Sequence, residues 1–125
     1  MTVLKGKKLR KGELSHQWVE DLLYFDGPLL SLLKGSTSQD YFYYFVEQGP
    51  MANRWLAFAV SRSSIHDYLA RHQTLRDLVE AQDSVYIVDV DDSGEVILAI
   101  ESFTSDVPEK YFPPVDSLFD SELSP

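Results

Sequence analysis

Residues 89–97, DVDDSGEVI, place carboxylates and a hydroxyl at the spacing of a calcium-binding loop. Asp89, Asp91 and Ser93 fall at positions 1, 3 and 5 of an EF-hand loop, and a glycine follows at position 6. Such a loop closes on a bidentate carboxylate at position 12, where this chain has Ile100. The flanking runs VYIVDV and EVILAI are rich in β-branched residues. The stretch therefore predicts the turn of a β-hairpin and no metal site.

The remaining residues form no recognisable catalytic motif. His66 and His72 lie six residues apart, which puts them on different sides of a helix. The chain has no glycine-rich phosphate loop and no G-x-S-x-G elbow. It has no cysteine either, which removes disulfides, thiolate nucleophiles and cysteine zinc sites. We predict no cofactor and no enzymatic activity, with carboxylates paired in space as the alternative.

Charge is distributed unevenly along the 125 residues, whose formal net charge is −9. Residues 1–12 carry five bases and no acid, whereas residues 83–125 carry one base and eleven acids. Phosphates repel an acidic domain, so we predict that the domain does not bind nucleic acid directly. The basic residues would make at most a weak contact with a phosphate backbone, or form a solvated terminus.

Composition indicates a soluble folded protein, with 44% apolar and 13% aromatic residues. No apolar run approaches the ~18 residues of a membrane span, and the first residues lack the apolar stretch of a secretion signal. We expect a cytoplasmic protein that does not enter a membrane. The predicted organisation is a basic arm at 1–12, one domain at 13–104 and an acidic, proline-containing tail at 105–125.

Hydrophobic patterning predicts an α+β domain with an antiparallel sheet of about five strands and helices on one face. Three strands would form a meander over residues 29–61, and a hairpin would follow at 85–90 and 95–103. Capping-box spacings at Ser64 and Thr74 predict two short helices, over 65–72 and 75–82. Residues 13–25 fit either a short helix or an edge strand.

The most aromatic strand, YFYYFV, must present aromatic rings on both of its faces. Its side chains alternate, with Tyr41, Tyr43 and Phe45 on one face and Phe42, Tyr44 and Val46 on the other. We expect the second set to line the core. The first set would contact a protein partner or a second copy of the chain, because tyrosine is enriched at interfaces.

The tail offers a second candidate interface. Leu118 and Phe119 belong to an amphipathic pattern in VDSLFDSEL, with acids between the apolar residues. Such a segment would dock in a partner's groove or fold back over its own sheet, and short apolar periodicity does not separate the two.

Three stretches, YFDGPLLSL, NRWLAFAVS and TLRDLVEAQDSVYIVDV, resemble a small uncharacterised bacterial domain family. The resemblance covers about residues 20–112. It implies a bacterial or phage origin and an accessory domain, and it transfers no activity and no site residue.

These features favour a non-enzymatic protein-interaction module, an accessory or regulatory subunit of a bacterial or phage system. The net charge of residues 83–125 supports an alternative, an acidic inhibitor or antitoxin-like protein that mimics nucleic acid. A second alternative is an enzyme whose carboxylates are assembled in space.

Overall fold

Apolar, β-branched and aromatic runs build most of this chain into strands. The computed structural model describes residues 4–125, in which seven strands form one sheet in the order β1-β7-β6-β5-β4-β3-β2. Every neighbouring pair is antiparallel. The strands are β1 Lys7–Lys8, β2 His16–Tyr24, β3 Pro28–Gly35, β4 Asp40–Gln48, β5 Asn53–Val60, β6 Ser84–Val90 and β7 Val96–Phe103.

The predicted α+β sheet of about five strands is wrong, because the fold is mostly β, with 42% strand and 19% helix. The meander and the hairpin are present as β3 to β5 and as β6 with β7. Two further strands complete the sheet, one from residues 13–25, which patterning left open, and one from residues 1–12, which were predicted as a basic arm. β2 lies in residues 13–25, where pairing with β3 overrides the helix-like spacing. β1 pairs only Lys7 and Lys8 with β7, which is too short for any periodicity.

Two helices, α1 Arg62–Leu69 and α2 Leu75–Glu80, connect β5 to β6. The predicted capping box at the start of α2 is confirmed. The Thr74 side chain accepts from the Asp77 backbone N–H, and the Asp77 side chain accepts from the Thr74 backbone N–H. The prediction for α1 is wrong. Ser61 is its N-cap and accepts a hydrogen bond from the Ser64 backbone N–H, so the helix starts three residues earlier. β5 ends at Val60, and the extended backbone of Ser61 already has the conformation that an N-cap requires.

Both helices pack against one face of the sheet, which we call the helix face. Phe42 of β4 is fully buried there, in edge-to-face contact with Phe58 of β5 and Tyr68 of α1. Tyr44 and Val46 also contact this cluster. Each fully buried side chain of this size stabilises the fold by ~1.5–3 kcal/mol relative to an exposed one. The helix face therefore holds the main hydrophobic core.

The acidic tail folds back onto the helix face. Val107 and Tyr111 are buried in the core, and the Phe119 ring lies 5.6 Å from the Tyr68 ring, centroid to centroid. Three short 3₁₀ turns, at Thr104–Asp106, Glu109–Tyr111 and Ser121–Leu123, lie along this segment. Of the two alternatives for the tail, the structure shows docking on its own sheet.

Two arginines fasten the tail to the domain. Arg54 of β5 donates to both carboxylate oxygens of Asp89 and to the Tyr111 hydroxyl, each at 2.8 Å. The carboxylate and the phenol outweigh partial burial and raise the pKa of Arg54. Arg76 of α2 lies 4.8 Å from the centroid of the Phe112 ring and donates to Glu109. Arg54 thus holds Tyr111 against the sheet, and Arg76 holds Phe112 against α2.

The sheet is strongly curled. The chain leaves β1 at Leu9, whose N–H donates to Ala99 of β7, and enters β2 at His16. In a flat sheet six strand spacings, ~29 Å, would separate β1 from β2, but the seven steps from Leu9 to His16 reach at most ~25 Å when fully extended. The connection contains a turn, with the N–H of Glu13 donating to Arg10, so it is shorter. The two sides of the sheet must therefore approach each other.

Phe42→Ala should destabilise the domain by about 3–5 kcal/mol, since it removes a fully buried ring and leaves a cavity. Phe103→Ala is the matched control, because that ring is 68% exposed and its loss should change stability by less than about 0.5–1 kcal/mol. Urea unfolding of both variants measures the difference. Equal losses would contradict the assignment of the core to the helix face.

Candidate functional site

The second face of the sheet, which we call the cleft face, is concave and only partly filled. Tyr43, Ala57 and Val88 are buried at its centre. The curled strands enclose a cleft of about 720 Å³ on this face. Residues from all the strands except β1 line it, among them Trp18, Ser31, Leu33, Trp55, Val90 and Val96. Residues 11–15, on the way from β1 to β2, close one side.

Gly35 leaves room for two aromatic rings to stack beside the cleft. The His16 ring of β2 reaches across Gly35 and stacks on Tyr41 of β4, with centroids 4.0 Å apart. A Cβ atom at position 35 would lie 2.9 Å from the Tyr41 ring and 3.4 Å from the His16 ring. The His16 ring also lies 6.3 Å from the Tyr86 ring of β6. In a flat sheet β2 and β6 would be four strand spacings, ~19 Å, apart.

His16 and Tyr43 form a hydrogen bond of 2.6 Å between Nδ1 and the phenolic oxygen. Burial lowers the pKa of His16, and it raises the pKa of Tyr43 well above its usual range. At neutral pH the imidazole is therefore uncharged and the phenol keeps its proton. A neutral imidazole forms this bond in either tautomer, with Nδ1 accepting from the Tyr43 hydroxyl or donating to the phenolic oxygen.

Asp21 supplies a carboxylate to the wall of the cleft. Its Oδ1 accepts hydrogen bonds from the Ser31 hydroxyl at 2.7 Å and from the Trp18 indole N–H at 2.8 Å. Ser31 is buried on β3 directly opposite Asp21. At the mouth, Lys11 Nζ lies 3.0 Å from the Glu95 carboxylate. The cleft thus combines an aromatic and aliphatic lining with a few fixed polar groups.

The Asp91 carboxylate accepts hydrogen bonds from within the acidic turn that follows β6. Asp91 Oδ1 accepts from the Ser93 hydroxyl and from the backbone N–H groups of Ser93 and Glu95. These bonds, the Ser93 hydroxyl first, lower the pKa of Asp91. Within residues 4–125, no group of three or more histidine or acidic side chains is arranged to hold a metal ion.

The five residues predicted from the sequence as an interface do not share one surface. Tyr41 and Tyr43 lie on the cleft face, and Tyr43 is only 5% exposed because His16 and Ala57 cover it. Phe45 packs edge-to-face on Trp55, with centroids 5.4 Å apart. Phe119 packs against the helix-face core on the opposite side of the sheet, and the Leu118 side chain next to it in sequence is 37% exposed.

Sequence reasoning missed His16, Trp18, Asp21, Ser31 and Trp55 as residues of a common site. His16 and Trp18 alternate along a strand, so reading residues 13–25 as β2 would have placed both on one face. The pairing of Asp21 with Ser31 depends on the register of β2 against β3, which a single sequence does not reveal.

Comparison with family models, curated proteins and solved structures gave no match to this chain. The resemblance to an uncharacterised bacterial domain family therefore stays an expectation. Within the described part of the chain, no helix is long and apolar enough to cross a membrane.

The His16 pKa predicts a specific loss of stability in acid. The unfolded histidine titrates near pH ~6.5 and the folded one lower, so the unfolded state binds the extra proton first. The free energy of unfolding should fall as the pH drops through ~6.5 towards the folded pKa. His16→Gln keeps an acceptor but does not titrate, so its stability should change less between about pH 7.5 and pH 5.

The matched control is His66→Gln, since His66 is exposed on α1. Urea unfolding at each pH gives the slopes. If His16→Gln and the unmodified chain lose equal stability between about pH 7.5 and pH 5, the buried neutral histidine does not cause the loss of stability in acid.

Proposed function

We propose that this chain is a non-enzymatic protein-interaction module, an accessory or regulatory subunit, and that the cleft seats part of its partner. The observation that carries the proposal is the cleft, whose volume of about 720 Å³ falls within the ~300–1,000 Å³ typical of binding pockets. Tryptophan and tyrosine, which dominate interface hot spots, line it.

Trp18 supports a partner more directly than any other residue. Its side chain is 63% exposed at the rim of the cleft, although its N–H is already bonded to Asp21. A large aromatic ring held in place but left in water gains apolar burial when a partner covers it.

The polar groups of the cleft favour binding over catalysis. His16 is bonded to Tyr43, and Ser31 is bonded to Asp21, while no hydrogen bond joins the histidine to the serine within residues 4–125. The arrangement thus lacks the nucleophile–base contact of a hydrolase. The proposal keeps the soluble, cytoplasmic setting and the bacterial or phage origin expected from the sequence.

The shape of the sheet edge favours a different protein as the partner over a second copy of the chain. β2 is the edge strand next to the cleft, and its register against β3 is interrupted at three places. Such bulges twist an edge strand and oppose edge-to-edge pairing with another copy.

The nucleic-acid mimic has weaker support. Asp89, Glu95 and Glu109 of the acidic segment form ion pairs with Arg54, Lys11 and Arg76. Those carboxylates are therefore partly neutralised by the chain's own bases.

Selection from a displayed peptide library tests the proposal without knowledge of the partner. Peptides enriched on the intact chain should lose most of their affinity for Trp18→Ala, about tenfold or more, because the variant removes a hot-spot ring. The fold should survive, since the ring is mostly exposed.

Phe103→Ala is the control, because Phe103 does not line the cleft and its ring is about as exposed as that of Trp18. The exposed fractions are 68% for Phe103 and 63% for Trp18. Peptides that bind Trp18→Ala as tightly as the intact chain would overturn the assignment of the cleft, and no enrichment at all would overturn the proposed function.

A further inference from the structure

We infer that the cleft accepts a basic side chain, lysine or arginine, from its protein partner, with Asp21 as the counter-charge. The inference rests on the proposed function and names the chemistry of the group that the cleft recognises. Its basis is the balance of charge and apolar surface in the cleft.

Among the described residues, the ionisable groups that line the cleft leave one negative charge uncompensated. Lys11 and Glu95 form an ion pair at the mouth and cancel each other. His16 adds no charge at neutral pH, because burial lowers its pKa. Asp21 has no cationic partner among the described residues within 4.0 Å. A cationic group would therefore restore neutrality, whereas an anion would be repelled.

Asp21 is also held in an orientation suited to a ligand. Both of its protein donors, the Ser31 hydroxyl and the Trp18 indole, bond to Oδ1. No donor within residues 4–125 bonds to Oδ2. Two bonds to one oxygen fix the carboxylate and leave the other oxygen free to accept from an ammonium or guanidinium group.

The rest of the lining suits the stem of such a side chain. Leu33, Val90 and Val96 are apolar, and Trp18 and Trp55 add aromatic surface. Lysine and arginine bury a hydrocarbon stem against apolar surface while the charged head keeps a polar partner, and indole rings attract cations. The net charge of −9 would also draw a basic partner towards the chain.

The two tryptophans are the only ones in the chain and both line the cleft, so their indole N–H resonances report on it alone. Three blocked tripeptides, leucine-X-leucine with X as lysine, norleucine or glutamate, serve as probes in an NMR titration. We expect the lysine peptide to shift both indole resonances and to bind about threefold to tenfold more tightly than the norleucine peptide. The glutamate peptide should bind most weakly.

Asp21→Asn should abolish the preference for lysine over norleucine, since it keeps the acceptor for Ser31 and Trp18 but removes the charge. Glu20→Gln is the matched control, because Glu20 is the exposed neighbour on β2 and is not among the cleft-lining residues. The lysine preference should survive in that variant.

Salt provides a test that needs no variant. The lysine peptide should lose affinity between about 20 and about 300 mM NaCl, and the norleucine peptide should not.

Two results would overturn the inference. Equal binding of the lysine and norleucine peptides would overturn the inference, although the cleft would still be a binding site. An undiminished lysine preference in Asp21→Asn would show that another group supplies the attraction. If no tripeptide shifts either indole, the inference also fails, and the peptide-library selection decides separately whether the proposed function fails with it.

Discussion

The short connection between β1 and β2 is the constraint on which the rest of the structure depends. Residues 9–15 leave one side of a seven-stranded sheet and must start the strand at the other side. A flat sheet would place the two edge strands ~29 Å apart, farther than the ~25 Å that this path can span. Curling the sheet brings His16 over Gly35 to the aromatic rings of β4 and β6. The cleft is the space that the curl encloses.

The two faces of the curled sheet differ in how completely they are filled. The helix face is filled by α1, α2 and the tail, and two arginines hold the tail there. Because that face carries the main core, the cleft face can keep small residues at its centre, such as Ala57 and Ala99, without threatening the fold. For the same reason the fold tolerates the exposed ring of Trp18 and an Asp21 oxygen that accepts no hydrogen bond from residues 4–125.

Local patterns predicted much of the fold. The aromatic alternation in β4 placed Phe42 on the core side, and the Thr74 capping box marked the start of α2. The cleft could not be predicted in the same way, because it depends on contacts distant in sequence. His16 and Tyr86 are seventy residues apart, and only the curl brings them together. The sequence predicted Leu118 and Phe119 as interface residues. In the structure the Phe119 ring packs beside Tyr68 on the helix face instead.

The curl is tested most directly by nuclear Overhauser effects between the His16 and Tyr86 ring protons. The rings lie 6.3 Å apart, centroid to centroid and edge to face, so cross peaks should appear and should vanish from the Tyr86 positions in Tyr86→Leu. A flat sheet would put the rings ~19 Å apart, far beyond detection. Cross peaks from His16 to Tyr41 without any to Tyr86 would contradict the curled sheet, and with it the cleft.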